Sequence, residues 1–107
     1  MSDEDFKVLN REIFLSFWKI HILHHAAEGP VVGQWMLEEL RHHGYVVSPG
    51  TLYPMLKRME SYGWLRSKVA SDSPKAARSY FLTAKGKRVL KRIRTQMREL
   101  NLEVPSH

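Results

Sequence analysis

The 107-residue chain contains no cysteine. That absence excludes a disulfide scaffold, a thiolate zinc site and a cysteine nucleophile, and it makes a reducing cytoplasm the expected location. Long hydrophobic runs are missing as well, since no apolar stretch reaches the roughly 18 residues that a membrane span requires. The opening MSDED is acidic where a secretory leader is basic and then apolar, so neither insertion nor export is expected. No phosphate loop, HExxH pattern or compact carboxylate pair occurs, and Ser48 and Ser61 have no histidine base within their own elements. Catalysis is therefore not expected, nor is a cofactor. Internal repeats and low-complexity segments are also lacking.

Acidic residues are scarce in one half of the chain. The net charge is +6, yet residues 1–47 carry four Lys/Arg against seven Asp/Glu, whereas residues 48–98 carry thirteen against two. Basic charge segregated in this way favours a polyanionic partner, of which nucleic acid is the commonest. Charge alone leaves a merely solvated basic surface as the alternative. A chain of this length forms one domain, 1–107, and buries roughly 65% of its extended-chain surface without needing staples.

What is present is mostly helical periodicity. Residues 5–28 predict a dense apolar helix ended by Gly29-Pro30. Phe6, Leu9, Ile13, Phe17 and Ile20 follow a three-or-four spacing, while Phe14, Leu15, Trp18, Ile22 and Leu23 occupy other faces. Apolar residues all round a helix imply burial on more than one side, and a second subunit is the expected cover. Residues 32–43 predict a second helix, with Gly33, Met36, Leu37 and Leu40 inward and Gly44 at its stop. A short turn then leads to a third helix, giving a helix-turn-helix.

That third helix, SPGTLYPMLKRM and beyond, is unusual for its second proline. Ser48 suits the cap and Pro49 the first helical position, where a missing N–H is harmless. Pro54 forfeits an amide hydrogen bond and crowds the carbonyl four residues back, at a typical cost of about 3 kcal/mol. The crowded carbonyl belongs to Gly50, where the backbone yields most easily. Leu52, Met55, Leu56 and Met59 share an inward face. Gly50, Tyr53, Pro54, Lys57, Arg58 and Ser61 lie opposite, a mixture of cations, a phenol and small residues suited to phosphates and base edges.

After Gly63, the runs 64–69 and 78–82 predict two strands, and the turn-rich ASDSPKAA between them predicts a hairpin with a basic tip near Lys75 and Arg78. Helix-turn-helix followed by a basic hairpin describes a winged helix. Thr83 caps a last helix, in which Gly86, Leu90, Ile93, Met97, Leu100 and Val104 recur as a heptad seam, the pattern of helices that pair. The fold class is thus mainly α with a small β-hairpin: a winged helix-turn-helix over 32–82, homodimeric through the N-terminal helix 5–28 and the C-terminal helix 83–104.

The stretches GYVVSPGTLYPMLKRMESYGWL and RSYFLTAKGKRVL resemble the PadR-like transcriptional regulators. The family's recognition helix carries S-x-G-T-L-Y-P-x-L-x-R-x-E-x-x-G-x-L, and its second wing strand leads into R-x-Y-x-L-T-x-x-G. The single helix after the wing is similar to that of the short subfamily. The resemblance implies a bacterial homodimeric regulator, usually a repressor, acting on a palindromic operator in double-stranded DNA. Carried onto matching positions, it implies DNA contact by Ser48, Thr51, Tyr53 and Lys57, with Lys75 and Arg78 on the wing, and Pro54 and Arg58 of the same outward face are expected to join them. It also implies that the first and last helices form the dimer interface, for which the periodic apolar residues Phe6, Leu9, Ile13, Phe17, Leu90, Ile93, Met97 and Leu100 are the candidates. Some relatives line a small-molecule effector pocket with aromatic residues near the dimer axis, for which Trp18 and Trp35 are the candidates here.

Six histidines raise a different chemistry. His21 and His25 are four apart on one helix face with Glu28 three beyond, a spacing able to hold a transition metal and to make the protein a metal-responsive regulator. Histidines near helix ends also interact favourably with the negative end of the dipole, which is the plainer explanation. A winged helix used for protein contact remains the other alternative.

Overall fold

The computed structural model describes residues 1–70, 72 and 77–104. The chain opens with α1 (Asp3–Leu9), whose first turn is closed by a capping box: the Ser2 hydroxyl accepts from the Asp5 N–H, and the Asp5 carboxylate accepts from the Ser2 N–H. A π-helical turn, Asn10–Phe14, joins it to α2 (Leu15–Glu28). The sequence predicts one uninterrupted helix here, and the wide turn is a departure from that expectation. The turn sets Phe14 against Phe17 (5.6 Å between ring centroids) and against Tyr45 (5.2 Å), seating the N-terminal helices on the turn that leads to Ser48.

Next come β1 (Val31–Val32), α3 (Gly33–His42) and α4 (Pro49–Ser61). The hairpin is formed by β2 (Leu65–Val69) and β3 (Arg78–Leu82), and the chain continues into α5 (Ala84–Glu103). The expected two-stranded hairpin is in fact part of a three-stranded antiparallel sheet in the order β1-β3-β2, because Val31 pairs with Tyr80 and Val32 with Ser79. β1 ties the entrance of the helix-turn-helix to the wing's second strand. Thr83 caps α5 as expected, its hydroxyl accepting from the Gly86 N–H at 2.9 Å.

The core gathers one face from each element. Ile22 and Leu23 of α2, Met36 and Leu40 of α3, and Leu52, Met55, Leu56 and Met59 of α4 are fully buried, joined by Leu65 and Leu90. The inward faces predicted for α3 and α4 are those observed. α4 ends shortly before Gly63, whose φ of +80° is a conformation that side-chain-bearing residues seldom adopt.

Candidate nucleic-acid interface

α4 divides sharply by face. Its four core residues leave no surface, while Ser48, Pro49, Gly50, Tyr53, Pro54, Lys57, Arg58 and Ser61 are exposed. The helix runs unbroken through Pro54. Ser48 stands at the cap with extended backbone, yet its hydroxyl does not bond a helix N–H as expected. It lies 3.3 Å from the half-buried Thr51 hydroxyl, so the two form an exposed pair at the helix start.

Tyr53 is placed by a missing side chain. Its ring lies across Gly33, the first residue of α3, so closely that a Cβ at Gly33 would collide with it. The phenol is thereby propped at the junction of the two helices with its outer part in solvent. Lys57 and Arg58 stand one turn further along the same exposed side. Among the described residues, the ion pairs involve Arg11 with Glu12 and several histidines with Glu28 or Glu39, and none takes a lysine or arginine from residues 48–98. The described cations of the basic half therefore present charge that is not paired with carboxylates among the described residues.

Glu60, the one acidic residue of α4, is turned the other way. Its carboxylate accepts from the Ser67 N–H at 2.8 Å and from the Ser67 hydroxyl at 2.7 Å, and the same hydroxyl accepts from the Arg78 guanidinium at 2.9 Å. This chain of bonds fastens the wing to the end of α4. Arg78, expected near a free basic tip, instead opens β3 opposite Val69 and is directed towards Ser67. Lys75 lies outside the described residues. Burial, and then the nearby Glu60 carboxylate, pushes the Tyr80 phenol above its ordinary range.

Two further cations escape a motif-based reading. Arg66 and Lys68 alternate along β2 on its exposed face, with Arg66 packed over the Phe81 ring at 5.2 Å. The alternation in LRSKV is the signal that finds them. They extend the cationic surface of α4 along the wing.

The residues expected at a dimer interface separate into three groups. Phe6, Ile13, Phe17, Met97 and Leu100 are between 43% and 61% exposed. Leu9 and Ile93 are half-buried. Leu90, at 2% exposure, packs in its own domain's core and also borders the groove between α2 and α5. The exposed part of the seam borders a groove of about 700 Å³ between α2 and α5, with Phe17, Ile20, Met97 and Leu100 among its walls.

Trp18 and Trp35 are not brought together. Trp18 is buried in the core, edge-on to Tyr45 at 6.0 Å, with its indole N–H unpartnered among the described residues. Trp35 lies exposed on α3, edge-on to His25 at 5.1 Å, beside a separate open cavity of about 620 Å³. The histidines also regroup relative to expectation. His21 and His25 converge with His43, at the end of α3, instead of Glu28, whereas Glu28 groups with His24 and His25. Burial, and then the neighbouring His43, His25 and His24, hold the His21 imidazole below the ordinary histidine value, with Glu39 opposing them.

Residues 22–92 match the profile of the Transcriptional regulator PadR-like family. The chain is 45% identical over 94 residues to Transcriptional regulator Rv3488 of Mycobacterium tuberculosis, a match covering 88% of each chain. It superposes with a TM-score of 0.76 on the X-ray structure of a PadR-like transcription factor from Bacteroides fragilis, at 25% identity and over 90% of this chain and 94% of that one. A PadR family transcriptional regulator from Eggerthella lenta gives a TM-score of 0.71 at 27% identity, covering 94% of this chain and 93% of that chain.

Proposed function

Because the chain belongs to the PadR-like family of transcriptional regulators, we propose that it represses transcription as a homodimer, inserting α4 of each protomer into the major groove of a palindromic operator. The observation that carries this reading is the division of α4: four fully buried apolar side chains hold it down, and its opposite face offers Tyr53, Lys57 and Arg58 with no carboxylate paired to them among the described residues. In this arrangement Lys57 and Arg58 meet phosphates. Ser48, Thr51 and Tyr53 sit at the leading end, where a recognition helix reaches base edges. Pro54 adds a smooth surface without a competing donor, and Arg66, Lys68 and Arg78, with Lys75, track the flanking backbone.

The second copy supplies two-fold symmetry. Two recognition helices about 34 Å apart match successive major grooves on one side of B-DNA. The uncovered apolar surface along α1, α2 and the end of α5 is the pairing surface, with Phe6, Leu9, Ile13, Phe17, Ile93, Met97 and Leu100 contributing and Leu90 supporting from beneath. A small-molecule effector entering beside the groove would release the operator by shifting one recognition helix relative to the other.

The experiment is a salt titration of affinity for a chromosomal fragment selected by the purified protein. About six phosphate contacts give a slope near −5 in log K against log salt, at roughly −0.9 per contact. Absence of any preferred fragment at moderate ionic strength would overturn the reading.

A further inference from the structure

α2 and α3 bring three imidazoles together from separate elements. His21 and His25 lie one turn apart on α2, their rings 6.4 Å apart and nearly parallel, and the His43 ring stands 4.8 Å from that of His21. One nitrogen from each of the three lies within 4.8 Å of the others. In a tetrahedral zinc site ligand nitrogens are roughly 3.3 Å apart, each about 2.0–2.1 Å from the ion. The remaining contraction is within reach of the exposed His43 side chain, which terminates α3. Glu39 adjoins the cluster, its carboxylate 3.0 Å from His43 Nε2 and 3.7 Å from His25 Nε2.

We propose that His21, His25 and His43 form a binding site for one divalent transition-metal ion of the zinc and cobalt class, with Glu39 as the neighbouring carboxylate that orients the imidazoles and offsets the added charge. Three nitrogens and no thiolate favour zinc, cobalt, nickel or copper over the hard magnesium and calcium ions. The neighbouring trio His24, His25 and Glu28 is a weaker candidate. Arg94 donates to His24 Nδ1 at 3.1 Å, which occupies that nitrogen and places a fixed cation beside the group. An ion held by α2 and by the end of α3 would link the N-terminal helices to the first helix of the helix-turn-helix. The site stands independently of the DNA-binding reading.

The test uses the full chain without a polyhistidine tag, stripped with a chelator and titrated with Co²⁺, then with Zn²⁺ in competition. The wild type is expected to bind one Co²⁺ per protomer with the visible absorption of a four-coordinate ion, and Zn²⁺ should displace it and raise Tm. His43→Ala, at an exposed helix end, should retain its circular dichroism yet bind at least tenfold more weakly and lose the Zn²⁺-dependent rise in Tm. Glu39→Gln should weaken binding by about tenfold, as outer partners of ligating histidines typically do. His24→Ala should bind as the wild type does. The proposal is overturned if the wild type shows no saturable one-to-one binding, if His43→Ala binds as tightly as the wild type, or if His24→Ala abolishes binding.

Discussion

Gly33 and Tyr53 are matched across the two helices of the helix-turn-helix: the ring occupies the space that any side chain at residue 33 would need. Tyr53 is about two-fifths exposed, so it has room to move. Gly33→Ala should therefore displace the phenol outward more than it disrupts the core, lowering operator affinity several-fold while Tm falls only a few degrees. An unchanged affinity would remove Tyr53 from the interface. Lys57 is the simpler case. Its substitution by alanine should weaken binding across all sequences and reduce the salt slope by about one if it meets a phosphate. Anisotropy titrations at several salt concentrations check both numbers.

At the scale of elements, one carboxylate ties the wing to the end of α4. Glu60→Ala leaves the Ser67 N–H and hydroxyl without their acceptor, at a cost of about 1–3 kcal/mol where they are part-buried. Urea unfolding should show that loss, and operator affinity should fall although Glu60 itself points away from the exposed face of α4. α4 and the wing strands were legible in the sequence because each combines an apolar period with its punctuation: Pro49 and Gly63 bound the helix, and alternation runs through LRSKV. β1 was not legible, since two valines carry no period and their partner strand is far along the chain. The π turn has neither proline nor glycine to mark it. Its effect appears only in the packing of Phe14 on Tyr45. The approach of His43 to His21 and His25 joins two helices, and spacing within one helix points instead to Glu28, which is the residue the structure separates from His21. Leu90 shows a related ambiguity: a heptad position looks the same whether its partner is the helix's own domain or another copy.

For the whole molecule, the unresolved balance is between apolar surface and basic charge. The groove between α2 and α5 and the exposed faces of α1 and α5 leave large side chains in water, an arrangement that the proposed second copy would relieve. Met97→Asp tests this, because Met97 is half exposed, whereas Ile93 of the same seam packs against the core. It should convert dimers to monomers in light scattering with secondary structure retained, and a persisting dimer would refute the pairing surface. In the proposed dimer both basic halves would lie on one assembly, and that would set the geometry of DNA contact. Hydroxyl-radical footprinting of the wild-type protein on its selected fragment measures that geometry directly. Two protected segments related by two-fold symmetry, with centres about one helical turn apart, are the predicted result; a single unsymmetrical patch would contradict it.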